Sequence, residues 1–282
     1  MRKRFRLKTR IKYIQKRIES YIYKRVIRNI MFPSRLGRRA ILGYSDSGLT
    51  FDKIYLNVPR GYNKFGVLVD YFLLNLTAAK ATRQRQKTLK KIINEEINKN
   101  IAHHKKTKIL DLASGPARYL VELINKDNRS HVEILCLDVD AHSLRFGRKL
   151  IGDRPVRYGK ADVFNLRHYK RMGRKREWKP NIILASGLFF YYKDDIVIES
   201  FKEAYKHIDD NGLFLFDNLI SNPNKKFLAK VCITTKGKPW EFYYRKPKRI
   251  ISWLNLAGFS NIRYATDKWN MYIVYKAFKR NR

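Results

Sequence analysis

The chain has 282 residues, of which 44% are hydrophobic and 13% aromatic, so it can bury an ordinary core and does not have the composition of a disordered protein. Lysine and arginine number 62 against 24 aspartate and glutamate, a formal net charge of +38, which favours polyanionic partners such as nucleic acid or an anionic membrane surface. No run of about 18 apolar residues occurs, the two cysteines cannot form a disulfide framework, and the six histidines are scattered, so we expect no membrane-spanning segment, no disulfide scaffold and no metal site.

Residues 1–40 predict a basic amphipathic helix. Glu19 is the only acidic residue in this segment, and apolar residues recur at spacings of three and four from Leu7 to Ile30, which places them on one helical face. Proline disfavours helix in the residue before it, so we expect a stop at Met31-Phe32-Pro33. Such a helix can lie on an anionic membrane, contact nucleic acid or dock on the protein's own core, and the pattern favours the three equally.

Residues 41–100 are expected to form a small helical cap ahead of the main domain. Turn signals stand at Gly43, Gly48, 59–61 and Gly66. Two helical runs follow, near 67–76 and 84–98.

The remaining segment, 101–282, alternates short apolar strands with helical stretches. The predicted strands are 108–112, 132–137, 156–158, 181–185 and 213–216, and the predicted helices between them are 119–124, 142–151 and 196–208. A helix over 247–256, ended by Gly258, precedes two further strands at 262–265 and 271–277. Alternating βα units indicate a parallel sheet with helices on both faces. The fold class is therefore α/β: a Rossmann-like doubly wound sheet with a C-terminal antiparallel strand pair.

Three features fall at the carboxyl ends of the first three strands, where open α/β sheets bind ligands. The run 111–117, Asp-Leu-Ala-Ser-Gly-Pro-Ala, follows strand one; its small residues allow close approach to the backbone, and the helix after it offers free N–H groups. Asp138 ends strand two, where a carboxylate can accept both hydroxyls of a ribose. Asp162 follows strand three, where an acid can accept from an adenine amine.

Taken together, these features resemble the class I methyltransferases that use S-adenosylmethionine. The resemblance implies that Asp111 and Gly115 shape the methionine pocket, that Asp138 holds the ribose, and that Asp162 with the Val163 backbone faces the adenine. The full set of cofactor-binding residues that it implies is Asp111, Ala113, Ser114, Gly115, Asp138, Val139, Asp162, Val163 and Ser186. A nicotinamide site is the obvious competitor, but the G-x-G-x-x-G pattern is absent.

The chain is also similar to a bacterial methyltransferase family, some members of which are fused behind an α/β-hydrolase domain. The similarity is carried by the runs 55–61, 83–86, 109–115, 185–188 and 257–259, and it covers residues 41–280. This chain departs from the usual pattern at Ala113 and Ala117, where glycine is customary. An extra methyl group beside the cofactor either weakens binding or is accommodated, so a non-catalytic binding protein on a degenerate scaffold stays an alternative.

Methyl transfer from a sulfonium is an in-line displacement, in which much of the catalysis is positioning. No fixed catalytic motif is therefore expected. The acceptor should lie beyond strand four, where Tyr191 and Tyr192 are candidates; Asp217 and Asn218, after strand five, could also reach it. The Asn-Pro-Pro-Tyr motif of amino-directed base methylation and the Pro-Cys nucleophile of cytosine C5 enzymes are both missing.

The acceptor is expected to be a lipid or small molecule at an anionic membrane surface, with an RNA methyltransferase as the alternative. The basic loop 170–179 and residues 1–40 are the expected contacts with that surface or with RNA, the loop acting as a phosphate-binding rim. We accordingly expect a cytoplasmic protein, peripheral at the membrane.

Overall fold

A computed structural model describes residues 22–165 and 178–280. Its α-helices are α1 (Arg28–Met31), α2 (Arg35–Ile41), α3 (Gly48–Leu56), α4 (Lys64–Asn75), α5 (Thr77–Ala102), α6 (Arg118–Val121), α7 (Ala141–Arg148), α8 (Asp194–His207), α9 (Lys225–Val231) and α10 (Pro247–Ala257). Its strands are β1 (Thr107–Leu112), β2 (Val132–Asp138), β3 (Val156–Lys160), β4 (Ile182–Ala185), β5 (Leu213–Leu219), β6 (Phe259–Thr266) and β7 (Tyr272–Lys279). One turn of π-helix, Ile22–Ile27, precedes α1.

The chain divides into two compact units. The smaller comprises Met1–Ala79 and Pro223–Glu241, and the larger comprises Lys80–Asn222 and Phe242–Arg282. The predicted domain boundaries at residues 40 and 100 stay a prediction.

All seven strands form one sheet in the larger unit, in the order β3-β2-β1-β4-β5-β7-β6. The strands β1 to β5 pair in parallel, whereas β7 runs antiparallel to both β5 and β6. The predicted doubly wound sheet and its antiparallel C-terminal pair are therefore confirmed. Strand β5 is longer than predicted because its pairing with β7 continues through Leu219.

Two hydrophobic cores cover the two faces of this sheet, since successive strand residues point to opposite faces. On one face, α5 packs Leu89 and Ile93 with Ile109 of β1. On the other, Phe214 of β5 packs with Phe201 of α8, their ring centroids 5.5 Å apart. Both faces are thus closed by helices, and the carboxyl ends of the parallel strands meet at one edge.

The helix predicted over 119–124 is wrong in length, because α6 ends at Val121. The side chain of Asn125 accepts hydrogen bonds from the backbone N–H groups of Asp127 and Asn128. Asn128 in turn donates its amide to the Leu123 carbonyl. This local network competes with the helical ladder and ends the helix after one turn. Helices α4 and α5 begin earlier than predicted, and α2, α3 and α9 were not predicted.

The smaller unit confirms the predicted helix stop before Pro33. Helix α1 ends at Met31, and the Ser34 side chain then caps α2 by accepting from the Gly37 N–H over 2.7 Å. Residues 1–21, which carry most of the predicted amphipathic helix, lie outside the described residues, as does most of the predicted basic loop 170–179. Among the helices that the structure describes, none has both the length and the apolar character needed to cross a membrane.

Candidate functional site

The loop after β1 alternates between ordinary and left-handed backbone. Ala113, Gly115 and Ala117 have φ values of +56°, +56° and +51°. Left-handed backbone costs an L-residue other than glycine roughly 1–2 kcal/mol, so surrounding contacts must hold the two alanines there. One such contact is the hydrogen bond from the Ser114 N–H to the Leu137 carbonyl, 3.0 Å long. The alanines therefore keep the backbone shape that glycine would take at these positions.

Asp111 lies in β1, fully buried beneath this loop. Its Oδ2 accepts a 2.6 Å hydrogen bond from the hydroxyl of Tyr119, while its Oδ1 has no hydrogen-bond partner among the described residues. Burial raises the pKa of Asp111 to about 8, the Tyr119 hydrogen bond opposes this, and the charge of Asp138 adds to it. The carboxyl is therefore mostly protonated at neutral pH, and its Oδ1 has no partner of either kind among the described residues. The role of Tyr119 was missed in the sequence, where it reads as an ordinary helix residue.

Asp138 ends β2 beside the loop that follows β1. Its Oδ2 accepts from the Gly115 N–H over 2.7 Å, and its Oδ1 accepts from the Asp140 N–H over 2.8 Å. Burial raises the pKa of this carboxyl, although the backbone N–H groups of Asp140, Gly115 and Val139 lower it. A carboxylate offers about four lone-pair sites, so Asp138 keeps capacity for a further donor. Val139, the next residue, is exposed.

Asp162 and Val163 follow β3 at the same edge of the sheet. The Ala161 N–H donates to the Asp138 carbonyl over 3.1 Å, which ties this loop to the end of β2. Asp162 is exposed, and its Oδ1 accepts from the Phe164 N–H over 3.0 Å, whereas the Val163 side chain is buried in the core. The structure thus brings the three loops with the predicted acids Asp111, Asp138 and Asp162 to neighbouring strand ends.

Ser186, the last predicted cofactor-binding residue, directly follows β4 and is half-buried. The next residue, Gly187, donates its backbone N–H to both carboxylate oxygens of Asp217, at 3.0 and 3.2 Å. Burial raises the pKa of Asp217, and the charge of Arg85 opposes that shift. Asp217 therefore joins the ends of β4 and β5.

Arg85 of α5 completes this buried cluster. Its guanidinium lies 3.2 Å from Asp217 in an ion pair whose two side chains are almost wholly buried, and it stacks 4.7 Å from the ring centroid of Tyr272. Gly187 has φ +73°, and a Cβ there would meet the Arg85 guanidinium at 3.3 Å. Glycine therefore suits position 187 both for its backbone conformation and for the close approach of the arginine.

Arg85 lies in the run 83–86, whose similarity to the bacterial family did not predict an ion pair. A signal was available in the helical spacing. Leu89 and Ile93 lie four and eight residues after Arg85, and residues at this spacing share one face of a helix. Because Leu89 and Ile93 are buried, Arg85 lies on the buried face of α5 as well. An arginine on that face needs a buried anion, and Asp217, 132 residues later, supplies it.

Tyr191 and Tyr192, the candidate acceptor residues, lie in and after a 3₁₀ turn, Phe189–Tyr191. The Tyr191 ring centroid is 5.6 Å from that of Phe242. The Tyr192 ring meets that of Phe164 at 4.4 Å. Both rings are half-buried in aromatic packing.

Asn218, the third candidate, points to the opposite face of the sheet from Asp217, because the two are adjacent in β5. Its amide nitrogen donates to the carbonyls of Leu219 and Arg245, at 3.2 and 2.8 Å. Its Oδ1 is buried and has no hydrogen-bond partner among the described residues.

Arg245 is a second buried cation that the sequence analysis missed. It donates through Nε to Asp194 over 2.8 Å and through its other nitrogens to the carbonyls of Phe189 and Tyr192. These bonds fix the segment after β4, which carries the candidate tyrosines. Among residues 22–165 and 178–280, no group of three or more His, Cys, Asp or Glu side chains could hold a metal ion.

The sequence of this chain is similar to a known protein family and to a curated relative. The model of a family described as "Putative methyltransferase" matches residues 8–279. The "Uncharacterized protein YnbC" of Escherichia coli (strain K12) is 26% identical over 242 residues, covering 84% of this chain. The matched region spans only 40% of the length of that curated relative.

Solved structures share the fold. A "possible exported protein" from Bordetella parapertussis aligns with a TM-score of 0.66 at 15% identity, covering 90% of this chain and 86% of that one. The magnesium protoporphyrin IX methyltransferase of Synechocystis PCC 6803, with bound SAH, aligns with a TM-score of 0.55 at 11% identity. The alignment covers 85% of this chain and 98% of that one. The carbon methyltransferase CurJ aligns with a TM-score of 0.57 at 12% identity, and the alignment covers 96% of this chain and 71% of that one. At these identities the likeness concerns the fold alone.

Proposed function

The chain belongs to the methyltransferase family whose model matches residues 8–279, and from that membership we propose that it transfers a methyl group from S-adenosylmethionine to a lipid or small molecule at an anionic membrane surface. The observation that carries the donor half of this proposal is the hydrogen bond between Gly115 and Asp138. It joins the small-residue loop to the acid that a ribose would need.

The residues present fit this cofactor by their hydrogen-bonding chemistry. S-adenosylmethionine offers donors: an ammonium group, two ribose hydroxyls and an adenine amine. The site offers acceptors: the unpartnered Oδ1 of Asp111, the remaining lone pairs of Asp138, and the exposed carboxylate of Asp162. An ammonium group near Asp111 would also favour the ionised form of a carboxyl that burial keeps protonated.

The two buried acids of the site then have separate roles toward the cofactor. Asp138 holds the ribose while fixing the Gly115 backbone, and Asp111 accepts from the ammonium of the methionine part. The cofactor supplies an electrophilic methyl group on a sulfonium. The chain's contribution to the transfer is to orient the acceptor and exclude water. Tyr191, Tyr192 and Asn218 stay the candidates for contact with the acceptor.

The acceptor half of the proposal is supported by charge. A net charge of +38 concentrates anionic partners at the surface, and residues 1–40 carry one acid among many cations. On the same proposal, the protein works in the cytoplasm, peripheral at the membrane. The free thiols of Cys136 and Cys232 are compatible with a reducing compartment.

Calorimetric titration with S-adenosylmethionine and with its demethylated product tests the donor half. We expect Kd values in the micromolar range, about −8 kcal/mol; no binding by well-folded protein would refute this half. The acceptor half is tested by incubating the protein with cofactor labelled in its methyl group and either anionic lipid extract or total RNA. Label in the lipid or small-molecule fraction supports the proposal, and label confined to RNA overturns its acceptor half.

A further inference from the structure

Helix α4 of the smaller unit carries apolar side chains on the face that it turns to solvent. Phe65, Leu68, Tyr71 and Phe72 are 50%, 66%, 61% and 61% exposed; we call them the α4 outer face. At 3.6 residues per turn they fall within about 120° of arc. Scattered exposed apolar residues need no explanation, but a contiguous group of four on one helix marks an interaction surface.

The opposite face of α4 is firmly held within the smaller unit, so the outer face is not exposed through poor docking. Asp70 is buried, and its carboxylate accepts from the Ser34 hydroxyl and from the backbone N–H groups of Leu36 and Arg60. Gly66 lies so close to Pro33 that an added Cβ would meet its carbonyl oxygen at 2.0 Å. The orientation of the helix is therefore fixed, and with it the outer face.

Two exposed aromatic rings and the guanidinium groups of Arg35 and Arg38 lie next to the first turn of α4. The guanidinium of Arg38 lies 4.1 Å from the ring centroid of Phe32 and 4.0 Å from that of Tyr62. Arg35 lies 5.2 Å from the same Tyr62 ring. The Tyr62 N–H donates to the Pro33 carbonyl over 2.8 Å, which holds this group against the start of the helix.

The cations beside the start of α4 are Arg35, Arg38 and Lys64. Within the described part of the chain, none of Arg35, Arg38 and Lys64 forms an ion pair with a carboxylate; we call the three the cationic rim. Residues 22–79 contain nine lysines and arginines against three aspartates. Two of those aspartates, Asp52 and Asp70, are buried, so the surface of this segment is more positive than its composition.

We propose that the α4 outer face and the cationic rim form a docking surface for an anionic lipid bilayer. Phe65, Leu68, Tyr71 and Phe72 enter the boundary between headgroups and acyl chains, and the cationic rim binds lipid phosphates. This rests on the membrane part of the proposed function and names the surface that performs it.

The combination of residues favours lipid over a protein or RNA partner. The cationic rim, which has no carboxylate partner within the described part of the chain, adjoins exposed apolar side chains, and this arrangement matches lipid phosphates beside acyl chains. RNA-binding surfaces use aromatic rings to stack bases, but Leu68, the most exposed member of the α4 outer face, has no ring to stack. Aromatic, aliphatic and cationic side chains together suit a headgroup boundary.

The test is vesicle co-sedimentation of the full chain, with vesicles of phosphatidylcholine alone or mixed with phosphatidylglycerol. The double variant Leu68→Ser/Phe72→Ser is compared with Leu256→Ser, which removes a leucine that is 76% exposed on α10 of the larger unit. We expect the double variant to partition at least about tenfold more weakly onto the mixed vesicles, since burying each apolar side chain favours the bound state. Leu256→Ser should partition like the native protein, and phosphatidylcholine alone should bind both weakly.

Equal partitioning of the double variant and the native protein would overturn the proposal, as would absence of native binding to the mixed vesicles. A change in oligomeric state of the double variant without vesicles would also overturn it, because a second copy would then cover the face. Cofactor titration of the same variants keeps the two questions apart: unchanged cofactor affinity with lost vesicle binding supports the surface, whereas a native protein that binds vesicles but no cofactor refutes only the methyltransferase proposal.

A direct probe covers the case in which charge alone drives sedimentation. An environment-sensitive fluorophore on Phe72→Cys should shift to the blue on adding mixed vesicles, and the same fluorophore on Leu256→Cys should not. Labelling is selective because the native Cys136 and Cys232 are buried. A response at position 72 to RNA but not to vesicles would assign the surface to RNA instead.

Discussion

The backbone N–H of Gly115 donates to Oδ2 of Asp138 across the gap between the carboxyl ends of β1 and β2. One carboxylate therefore does two things: it fixes the loop after β1, and it keeps lone pairs for a ligand. Affinity for the cofactor and local stability should consequently change together when this side chain is altered.

Replacing Asp138 by alanine should weaken S-adenosylmethionine binding at least about tenfold, since the ribose loses its acceptor. The variant should also lose about 1–3 kcal/mol of unfolding free energy, because the N–H groups of Gly115 and Asp140 lose theirs. Calorimetry and urea unfolding measure the two effects. The control is Asp153→Ala, an exposed carboxylate paired with Arg129, which should be nearly neutral. A folded Asp138→Ala protein with native affinity would show that this acid does not hold the cofactor.

Ala113→Gly should stabilise the protein by about 0.5–1 kcal/mol, and Ala117→Gly should stabilise it less, because it removes a methyl group that is buried in the core. Both positions have positive φ, where glycine avoids the cost that a Cβ incurs, and this relief exceeds the extra entropy of glycine in the unfolded chain. Ala81→Gly, in the interior of α5, should have the opposite sign, about 1 kcal/mol destabilising. Urea unfolding of the three variants decides the matter; destabilisation by Ala113→Gly would mean that its backbone is not left-handed in solution.

Arg85→Met should destabilise the fold by about 3–5 kcal/mol, because it leaves the buried Asp217 charge without its partner. Adding Asp217→Asn should recover much of this loss, since the amide oxygen can still accept from the Gly187 N–H. Lys90→Met on the same helix breaks an exposed pair with Glu122 and should cost under about 1 kcal/mol. A double-mutant cycle by chemical unfolding measures the coupling free energy between Arg85 and Asp217. Additive effects of the two substitutions would show that the two residues do not form a stabilising pair.

Stability should depend on the protonation of Asp111 between about pH 4 and 8. The unfolded chain releases this proton near its ordinary value of 3.8, whereas the folded protein keeps it up to about 8. Unfolding therefore releases a proton in this window, and the free energy of unfolding falls as pH rises, by at most about 1.4 kcal/mol per pH unit.

Asp111→Asn removes this titration, so its unfolding free energy should fall less steeply than that of the native protein from about pH 5 to 8. Asp140→Asn is the control: hydrogen bonds from Ser143 and the His142 backbone outweigh burial and lower the pKa of Asp140, so its stabilising effect is lost only at lower pH. Parallel curves for the native protein and Asp111→Asn would mean that Asp111 is ionised when folded.

Much of the fold could be predicted because it follows from local pattern. The apolar strand that includes Ile109 and the turn at Gly258 are set by neighbouring residues, and β1 and α10 lie close to where we expected them. Helix α6 was overestimated because the Asn125 and Asn128 side chains end it, and apolar periodicity does not register side-chain hydrogen bonds.

The candidate site was predictable only in part. The three acids could be placed because each follows a strand, and their roles toward the cofactor stay predictions. The partnership of Arg85 with Asp217 spans 132 residues, and no local pattern links two residues at that distance. Likewise, the sequence marks Ala113 and Ala117 as departures from glycine but does not reveal that they adopt its conformation, since that depends on tertiary hydrogen bonds.

The left-handed alanines also bear on how a ligand would be received. A glycine-rich loop samples many backbone conformations, and ordering it on ligand binding reduces the affinity. With alanine at positions 113 and 117, fewer backbone conformations are open, and the bonds from Ser114 and to Asp138 select one of them. The loop is thus preorganised. Its shape is settled in the folding of the chain, and ligand binding bears little of the entropic cost.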